Sequence, residues 1–175
     1  IASLADQYLR DPVQVAVTPV ATTAERVTQE AIFAHTGAKQ ALLNHILRDP
    51  AIERVLVFTR TKHGADRVVR GLEKVGINAS AIHGNKSQGQ RERALSSFRS
   101  EETQVLVATD VAARGLDIPQ VAHVYNYDLP NVPENYVHRI GRTARAGRDG
   151  RAVAFCAPAE AGELRAIEKS MKAQI

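Results

Sequence analysis

The sequence predicts an α/β fold built on a mainly parallel sheet with helices on both faces. Apolar segments of strand length alternate along the chain with longer segments of helical periodicity, a pattern typical of parallel sheets. Two of the strand segments, VLVF and VLVA, are apolar without alternation, as expected for strands buried on both faces. Apolar residues make up 44% of the 175 residues but aromatic residues only 5%, so we expect a core of mostly Val, Ile, Leu and Ala.

We divide the chain into an arm, residues 1–24, and a single domain, residues 25–175. In the arm, a short helix would end at Pro12 and an extended segment would follow. The first residues carry charge and lack the apolar core of a signal peptide, and the apolar runs are too short to span a membrane. The single Cys156 excludes an internal disulfide and favours a reducing compartment, so we expect a cytoplasmic protein, which would be a monomer as isolated. The start at Ile1 rather than Met suggests a piece of a longer chain.

Compact runs rich in branched residues predict the strands, and turn and capping residues predict where the helices begin and end. The predicted strands are 27–34, 54–59, 78–82, 104–109, 121–126 and 151–156. The predicted helices are 38–49, 62–75, 88–99, 133–144 and 159–172. Pro50 and Gly76 end the first two helices, Ser87 with Gln90 resembles a capping box, and Pro133 stands near a helix start.

Polar and basic residues gather directly after four of the predicted strands, in the segments TRTK, HGN, TDVAARGLD and NYDLP. In open parallel sheets, ligands bind beyond the carboxyl ends of the strands. The sequence therefore predicts a ligand-binding edge at that end of the sheet.

One segment, HRIGRTARAGRDGR at residues 138–151, carries a net charge of +4, which equals that of the whole chain. Its arginines are Arg139, Arg142, Arg145, Arg148 and Arg151. Such a segment is either a solvated basic turn or a site for an anion, because the guanidinium fork suits phosphate. If 138–145 is helical, His138, Arg142 and Arg145 share one face. Two stacked arginines would then suit a polyphosphate or a phosphoryl-transfer transition state.

The other polar segments allow two interpretations each. In VLVATDVAARGLDIP (105–119), a Gly permits close approach of the main chain and Asp117 could accept from ribose hydroxyls, or the segment is an ordinary turn. Gln88 and Arg91 open a helix, where N–H groups attract phosphate, or they belong to a solvated, capped terminus. Cys156 lies in an apolar run and reads as a buried thiol. The six His do not stand at metal-ligand spacing, so we predict no metal site.

Taken together and in this order, the segments closely resemble the second RecA-like domain of a DEAD-box ATP-dependent RNA helicase. VLVFTRTK resembles motif IV, HGNKSQGQR the segment with the Q-x-x-R motif, VLVATDVAARGLDIP motif V, and YVHRIGRTARAGR motif VI, H-R-x-G-R-x-x-R. The resemblance runs from about residue 26 to 172 and is similar to the bacterial RhlE-type subgroup. It implies a RecA-like three-layer sandwich, with residues 1–24 as the tail of a first domain plus a linker.

The resemblance also implies roles for individual residues. Arg142 and Arg145 would be arginine fingers that reach the γ-phosphate of ATP. Gly115 and Asp117 would lie near the ribose and phosphates, and His138 and Arg139 would couple the two domains. The positions that would grip the RNA backbone are Thr59, Arg60, Gly84, Gln88, Arg91, Thr109 and Asp110.

Some arginines and two substitutions lie outside that pattern. Arg148 and Arg151 fall beyond the motif and would face solvent. Ala144 stands where most relatives have Gly, a change expected to leave the helix intact. Asn85 stands where Asp is commoner, which puts a carboxylate role there in doubt.

The chain contains no G-x-x-x-x-G-K-S/T phosphate cradle and no DEAD tetrapeptide for Mg²⁺. ATP and Mg²⁺ would therefore be held mainly by the first domain, and RNA and that domain are the expected partners. Two other functions stay open: a free-standing RNA-binding module without ATP chemistry, and a nucleotide enzyme of another class. The second, such as a dinucleotide oxidoreductase, is disfavoured because no G-x-G-x-x-G follows a strand.

Overall fold

The computed structural model describes residues 27–114, 116–119, 121–144 and 149–175. The predicted arm, with its helix and extended segment, lies outside these residues. The strands are β1 Val27–Phe33, β2 Val55–Thr59, β3 Ala79–Ile82, β4 Val105–Thr109, β5 His123–Asn126 and β6 Gly150–Cys156. The helices are α1 Lys39–Ile46, α2 Lys62–Glu73, α3 Gln88–Arg99, α4 Asp110–Ala113, α5 Pro133–Ile140 and α6 Ala161–Met171. Short 3₁₀ turns at Thr36–Ala38 and Pro158–Glu160 precede α1 and α6.

The strands form one six-stranded sheet in the order β1-β6-β5-β2-β4-β3. Every pairing is parallel, which confirms the predicted parallel sheet. The central strands β2 and β4 are buried at every position and lie in register from Val55 opposite Val105 to Thr59 opposite Thr109. All carboxyl ends therefore meet at one edge, which is the edge where the polar segments begin.

Side-chain alternation along the strands divides the core between the two faces of the sheet. Val55 and Val57 of β2 pack with Leu43 of α1 and Val68 of α2 on one face. On the other face, Leu56 packs against α3, and a third cluster covers β6 with α5 and α6. Helices thus cover both faces, and the three-layer α/β sandwich predicted from the sequence is confirmed.

The predicted helix starts at α2 and α3 are confirmed by their caps. The Thr61 hydroxyl accepts from Gly64 N–H at 3.0 Å and begins α2. At α3, Gln90 N–H donates to Ser87 Oγ at 3.3 Å, and Ser87 N–H donates to Gln90 Oε1 at 2.9 Å. Each cap satisfies N–H groups that the first turn leaves without a helical partner. These caps fix the points at which the chain leaves the carboxyl edge.

The predicted helix over 133–144 is too long. Helix α5 ends at Ile140, and Gly141 to Ala144 form a tight turn in which Arg142 N–H donates to Arg139 O at 3.1 Å. The cause is tertiary: the buried Thr143 hydroxyl donates to the carbonyls of Val121, at 2.6 Å, and Ala122, at 3.1 Å. These bonds draw the chain away from the helix axis and toward the start of β5. The helix on which the shared face of His138, Arg142 and Arg145 was predicted therefore ends before Arg142, and Arg145 lies outside the described residues.

Ala144 lies at φ 54°, in the left-handed region that disfavours side chains and favours Gly. The expectation that this Ala leaves a helix intact is also wrong, because the position is not helical. Cys156 is buried, as predicted, and burial raises the pKa of its thiol. None of the described helices is both long enough and apolar enough to cross a bilayer.

Candidate functional site

The carboxyl edge of the sheet is organised around a buried arginine. Arg139 of α5 is 1% exposed and makes a bidentate ion pair with Asp110, through Nε to Oδ1 at 2.6 Å and Nη2 to Oδ2 at 2.8 Å. Its Nη1 donates to Asn126 Oδ1 at 3.1 Å and to Asp128 O at 2.7 Å. The guanidinium also lies 5.1 Å from the centre of the Phe58 ring. Arg139 therefore joins the ends of β2, β4 and β5 to α5.

This placement refines two of the predicted roles. Both carboxylate oxygens of Asp110 accept from Arg139, so Asp110 ties the start of α4 to α5. The predicted RNA contact of Asp110 stays a prediction. Arg139 has almost no exposed surface. Any coupling to another domain through Arg139 would act by holding Asp110 and α5 in place, not by direct contact.

The exposed His138 and the half-buried Arg142 follow Arg139 at the same edge. Arg142 Nη2 donates to Ala113 O at 3.4 Å, and its carbonyl accepts from Val121 N–H at 3.3 Å. A shallow depression lies between α4 and α5, with His138, Arg142 and Arg114 on its wall. Arg114 Nη2 donates to Asn135 Oδ1 at 2.5 Å and closes one side. Arg145 lies outside the described residues.

The turn that carries Arg142 depends on a glycine at the start of β6. A Cβ at Gly150 would lie 2.7 Å from the Ala144 nitrogen and would overlap the Thr143 side chain. We expect Gly150→Ala to lower the free energy of unfolding by about 1–3 kcal/mol, because Thr143 is pinned and cannot move aside. Gly162→Ala, in the first turn of α6 with open space around its Cβ position, should instead stabilise by up to about 1 kcal/mol. Urea unfolding measures the free energy of unfolding of both variants. Equal values for Gly150→Ala and Gly162→Ala would contradict the predicted clash at Gly150.

Asp117 presents its carboxylate to solvent, with 97% of the side chain exposed. Arg99 Nη2 of α3 donates to its main-chain O at 2.6 Å and to its Oδ2 at 3.2 Å. The carboxylate keeps room for further donors such as sugar hydroxyls. Gly115, the other predicted nucleotide neighbour, lies outside the described residues.

Three of the predicted RNA positions, Gly84, Gln88 and Arg91, follow the end of β3 and reach into the first turn of α3. Gly84 and Gln88 are exposed, and no atom lies within 4 Å of a Cβ built on Gly84. Arg91, one turn into α3, donates from Nη2 to Ala112 O of α4 at 3.3 Å. Its Nε is buried and has no hydrogen-bond partner among the described residues. Arg91 thus connects α3 to α4 through Nη2, while its Nε makes no hydrogen bond to the described residues.

The threonines at the ends of β2 and β4 are less accessible than predicted. Thr59 is 0% exposed and its hydroxyl donates to Thr61 O at 3.2 Å. Thr59 follows Val57 by two positions along β2, so its side chain lies on the same face of the sheet. The predicted RNA contact of Thr59 stays a prediction. Thr109 is buried too, at 8% exposed, and stands at the N-terminus of α4.

Arg60 lies at the surface, and hydrogen bonds to Leu129 and Glu160 fix its side chain. Its Nε and Nη2 donate to Leu129 O at 3.2 and 3.0 Å, and Nη2 also pairs with Glu160 Oε1 at 3.0 Å. Its main-chain N–H donates to Asp128 Oδ2 at 3.0 Å. Because 36% of the side chain stays exposed, Arg60 can still meet a ligand, in a fixed orientation.

Glu160 and Lys39 form a buried pair that the sequence analysis missed. Lys39 is 1% exposed; its Nζ donates to Glu160 Oε2 and, at 2.8 Å, to Tyr127 O. Glu160 also accepts from the N–H groups of Leu129, at 3.3 Å, and Ala157, at 3.0 Å. The two residues are 121 positions apart in the sequence. The one feature of the sequence that could have indicated a buried Lys was its place among the apolar residues of α1.

Arg151, expected to face solvent, is exposed but paired. Its Nη2 lies 2.6 Å from Glu30 Oε2 on the neighbouring strand β1. Hydrogen bonding to this carboxylate raises the pKa of Arg151 above its ordinary value. The residue therefore joins β6 to β1, and Arg148 lies outside the described residues.

A parallel sheet whose carboxyl edge combines arginines, an exposed carboxylate and open main chain is typical of domains that bind nucleotides and nucleic acids. The helicase conserved C-terminal domain matches residues 38–147, and the chain therefore belongs to that family. It is 42% identical over 172 residues to the ATP-dependent RNA helicase CshA of Listeria monocytogenes, covering 98% of this chain and 33% of that protein. The chain thus spans about a third of the length of such curated relatives.

Solved structures show the same fold. The Escherichia coli DEAD-box protein SrmB, bound to the regulator of ribonuclease activity A, is 39% identical with a TM-score of 0.81, covering 85% of this chain and 88% of that one. Dbp5 of Saccharomyces cerevisiae, bound to RNA and ADP BeF3, is 28% identical with a TM-score of 0.84, covering 99% of this chain and 48% of that one. The RecA-like fold of DEAD-box C-terminal domains is thereby confirmed. These similarities support the DEAD-box assignment and do not decide between bacterial subgroups.

Proposed function

We propose that this chain is the second half of an ATP-dependent RNA helicase that couples ATP binding and hydrolysis to local unwinding of RNA or remodelling of RNA–protein complexes. The observation that carries the proposal is the convergence of Arg142 and His138 with Gly84, Gln88 and Arg91 at one edge of the sheet. An arginine that could bind a phosphate thus shares an edge with an open surface that could bind a nucleic-acid backbone. The similarity to relatives that are RNA helicases supports the same function.

In this proposal a first domain holds most of the nucleotide, and this chain contributes positively charged side chains and residues that orient the nucleotide. Bound ATP, with Mg²⁺, supplies the phosphoryl group that is hydrolysed. Arg142, with Arg145, would neutralise charge on the γ-phosphate oxygens. The Asp117 carboxylate would accept from ribose hydroxyls, with Gly115 beside it. His138 would face the first domain, and the buried Arg139 would hold the start of α4 and the end of α5 in position.

The chain's organisation follows from the same proposal. Residues 1–24 would be the tail of the first domain plus the linker, and 25–175 the second RecA-like domain. The enzyme would be a cytoplasmic monomer, and the RhlE-type subgroup remains the assignment that the sequence resemblance supports.

RNA would be gripped by its backbone, which makes binding salt-sensitive and nearly independent of sequence. In the full-length helicase, we expect Arg91→Ala to weaken RNA affinity by about fivefold at about 0.1 M salt, as for one lost phosphate contact. The ratio of affinities for polyuridine and polyadenosine should stay unchanged. Fluorescence anisotropy with labelled oligonucleotides measures both quantities.

Arg70→Ala is the matched control, because Arg70 is an exposed arginine in the last turn of α2, away from the carboxyl edge. It should leave RNA affinity unchanged. A changed base preference at unchanged affinity in Arg91→Ala would contradict backbone recognition.

A further inference from the structure

The turn Gly141–Ala144, which carries Arg142, is joined to the segment before β5 by a buried hydroxyl group. Thr143 is 0% exposed, and its hydroxyl donates to Val121 O at 2.6 Å and, at the longer distance of 3.1 Å, to Ala122 O. In the opposite direction, Val121 N–H donates to Arg142 O at 3.3 Å. Hydrogen bonds therefore hold Arg142, through its main chain, and Thr143, through its side chain, to the same short segment.

The side chain of Thr143 has little freedom to adopt another orientation. A Cβ added at Gly150 would lie 2.6 Å from Thr143 Cγ2, so the methyl group already packs against the main chain of β6. A β-branched side chain is also stiff at χ1, and Thr143 N–H donates to Ile140 O at 3.0 Å. The hydroxyl is therefore directed at the Val121 carbonyl by packing as well as by its own hydrogen bond.

The position of this turn determines where the Arg142 guanidinium lies. The side chain runs from the turn to the end of α4, where Nη2 lies 3.4 Å from Ala113 O. Because an arginine side chain is long, a small rotation of the main chain at its base displaces the guanidinium by a larger distance. A fixed turn therefore keeps the guanidinium at the wall of the depression between α4 and α5.

Electrostatic stabilisation of a transition state depends on donors that are in place before the reaction begins. A misplacement of about 1 Å can cost on the order of 10²-fold in rate. An arginine carried by a turn meets this requirement only if the turn is rigid. Loss of the Thr143 hydroxyl would take that donor from Val121 O and would release the turn from the segment before β5.

We propose that Thr143 is a positioning residue for the reaction: its buried hydroxyl sets the place of the Arg142 guanidinium through the turn that both residues share. This proposal rests on the role of Arg142 proposed above. Thr143 itself would touch no phosphate, since its side chain is buried and bonds to main-chain carbonyls. Its effect would therefore fall on kcat, through Arg142, and not on the affinity for ATP or RNA.

The test measures kcat and the KM for ATP of the full-length helicase at saturating RNA, and RNA affinity by anisotropy with a labelled polyuridine oligonucleotide. Thr143→Val removes the hydroxyl at nearly constant volume, so kcat should fall by about 10–100-fold. The KM for ATP and the RNA affinity should stay close to those of the unaltered enzyme. Thr143→Ser keeps the hydroxyl and should keep most of kcat, whereas Thr143→Ala should lose as much as Thr143→Val.

Thr103→Val is the matched control. Thr103 is 5% exposed, stands two residues before β4, and its hydroxyl lies 2.6 Å from Ser97 Oγ of α3. The same change thus removes a buried hydroxyl whose bond joins the start of a neighbouring strand to α3 rather than to the turn of Arg142. Thr103→Val should leave kcat close to that of the unaltered enzyme.

A double-mutant cycle separates positioning from a general loss of stability. If Thr143 acts through Arg142, adding Thr143→Val to Arg142→Ala should cause no further fall in kcat. The same fall in the double variant as in Thr143→Val alone would show that Thr143 acts independently of Arg142, which would overturn the proposal. If thermal melting shows that Thr143→Val is not folded, Thr143→Ser and Thr143→Ala provide the comparison, and equal kcat values for those two would overturn it.

The outcomes distinguish this proposal from the proposed function. If Arg142→Ala keeps the ATPase rate of the unaltered helicase, the proposed role of Arg142 is wrong, and positioning by Thr143 is wrong with it. If Arg142→Ala loses the rate but Thr143→Val behaves like Thr103→Val, the role of Arg142 stands and only positioning by Thr143 is wrong.

Discussion

Arg142→Ala is expected to lower the RNA-stimulated ATPase rate of the full-length helicase by about 10³-fold or more, the range of arginine fingers in other phosphoryl-transfer enzymes. The reason is that Arg142 would neutralise charge that develops on the transferred phosphoryl group. Its effect should therefore fall on kcat more than on the KM for ATP. Arg142→Lys should not restore the rate, because an ammonium lacks the planar fork of donors. Steady-state ATP hydrolysis at saturating RNA gives kcat and KM for the unaltered helicase, Arg142→Ala and Arg142→Lys.

Arg151→Ala is the control for this prediction. Arg151 belongs to the same basic segment but pairs with Glu30 on β1 and lies near the start of β6, at the opposite edge of the sheet. Its removal should leave the ATPase rate close to that of the unaltered enzyme. Equal losses in the two variants would show that general positive charge, rather than the position of Arg142, supports the reaction.

Asp110→Ala is expected to lower the free energy of unfolding by about 3–5 kcal/mol, because it leaves the buried Arg139 guanidinium without its bidentate partner. Asp117→Ala should have little effect on stability, since Asp117 is exposed on the same segment. Urea unfolding of this chain measures the difference. If Asp110→Ala were as stable as Asp117→Ala and lost RNA affinity, Asp110 would be a direct RNA contact instead of the partner of Arg139.

The sequence correctly predicted those features of the fold that depend only on residues close together in the chain. The unalternated runs in β2 and β4 identified buried strands, and the capping box of Ser87 with Gln90 identified the start of α3. Such features depend on neighbouring residues, so they can be read locally. The position of the edge predicted to bind a ligand followed from the parallel order of the strands.

Features that depend on distant contacts could not be predicted in this way. Helix α5 ends at Ile140 because Thr143 bonds to carbonyls about 20 residues earlier in the chain. Glu160 and Lys39 come together only through the folded sheet, and no local pattern pairs them. The burial of Thr59, by contrast, was readable from its two-residue spacing from Val57 along β2.

The most direct test of the half-enzyme account is steady-state ATP hydrolysis by this 175-residue chain alone, with and without RNA. Arg142 can act only on a phosphate that is already held, and the chain contains no G-x-x-x-x-G-K-S/T cradle. We therefore expect no turnover by the chain alone, and RNA-stimulated turnover when the full-length protein is assayed under the same conditions. ATP turnover by the isolated chain that disappears in Arg142→Ala would contradict the account.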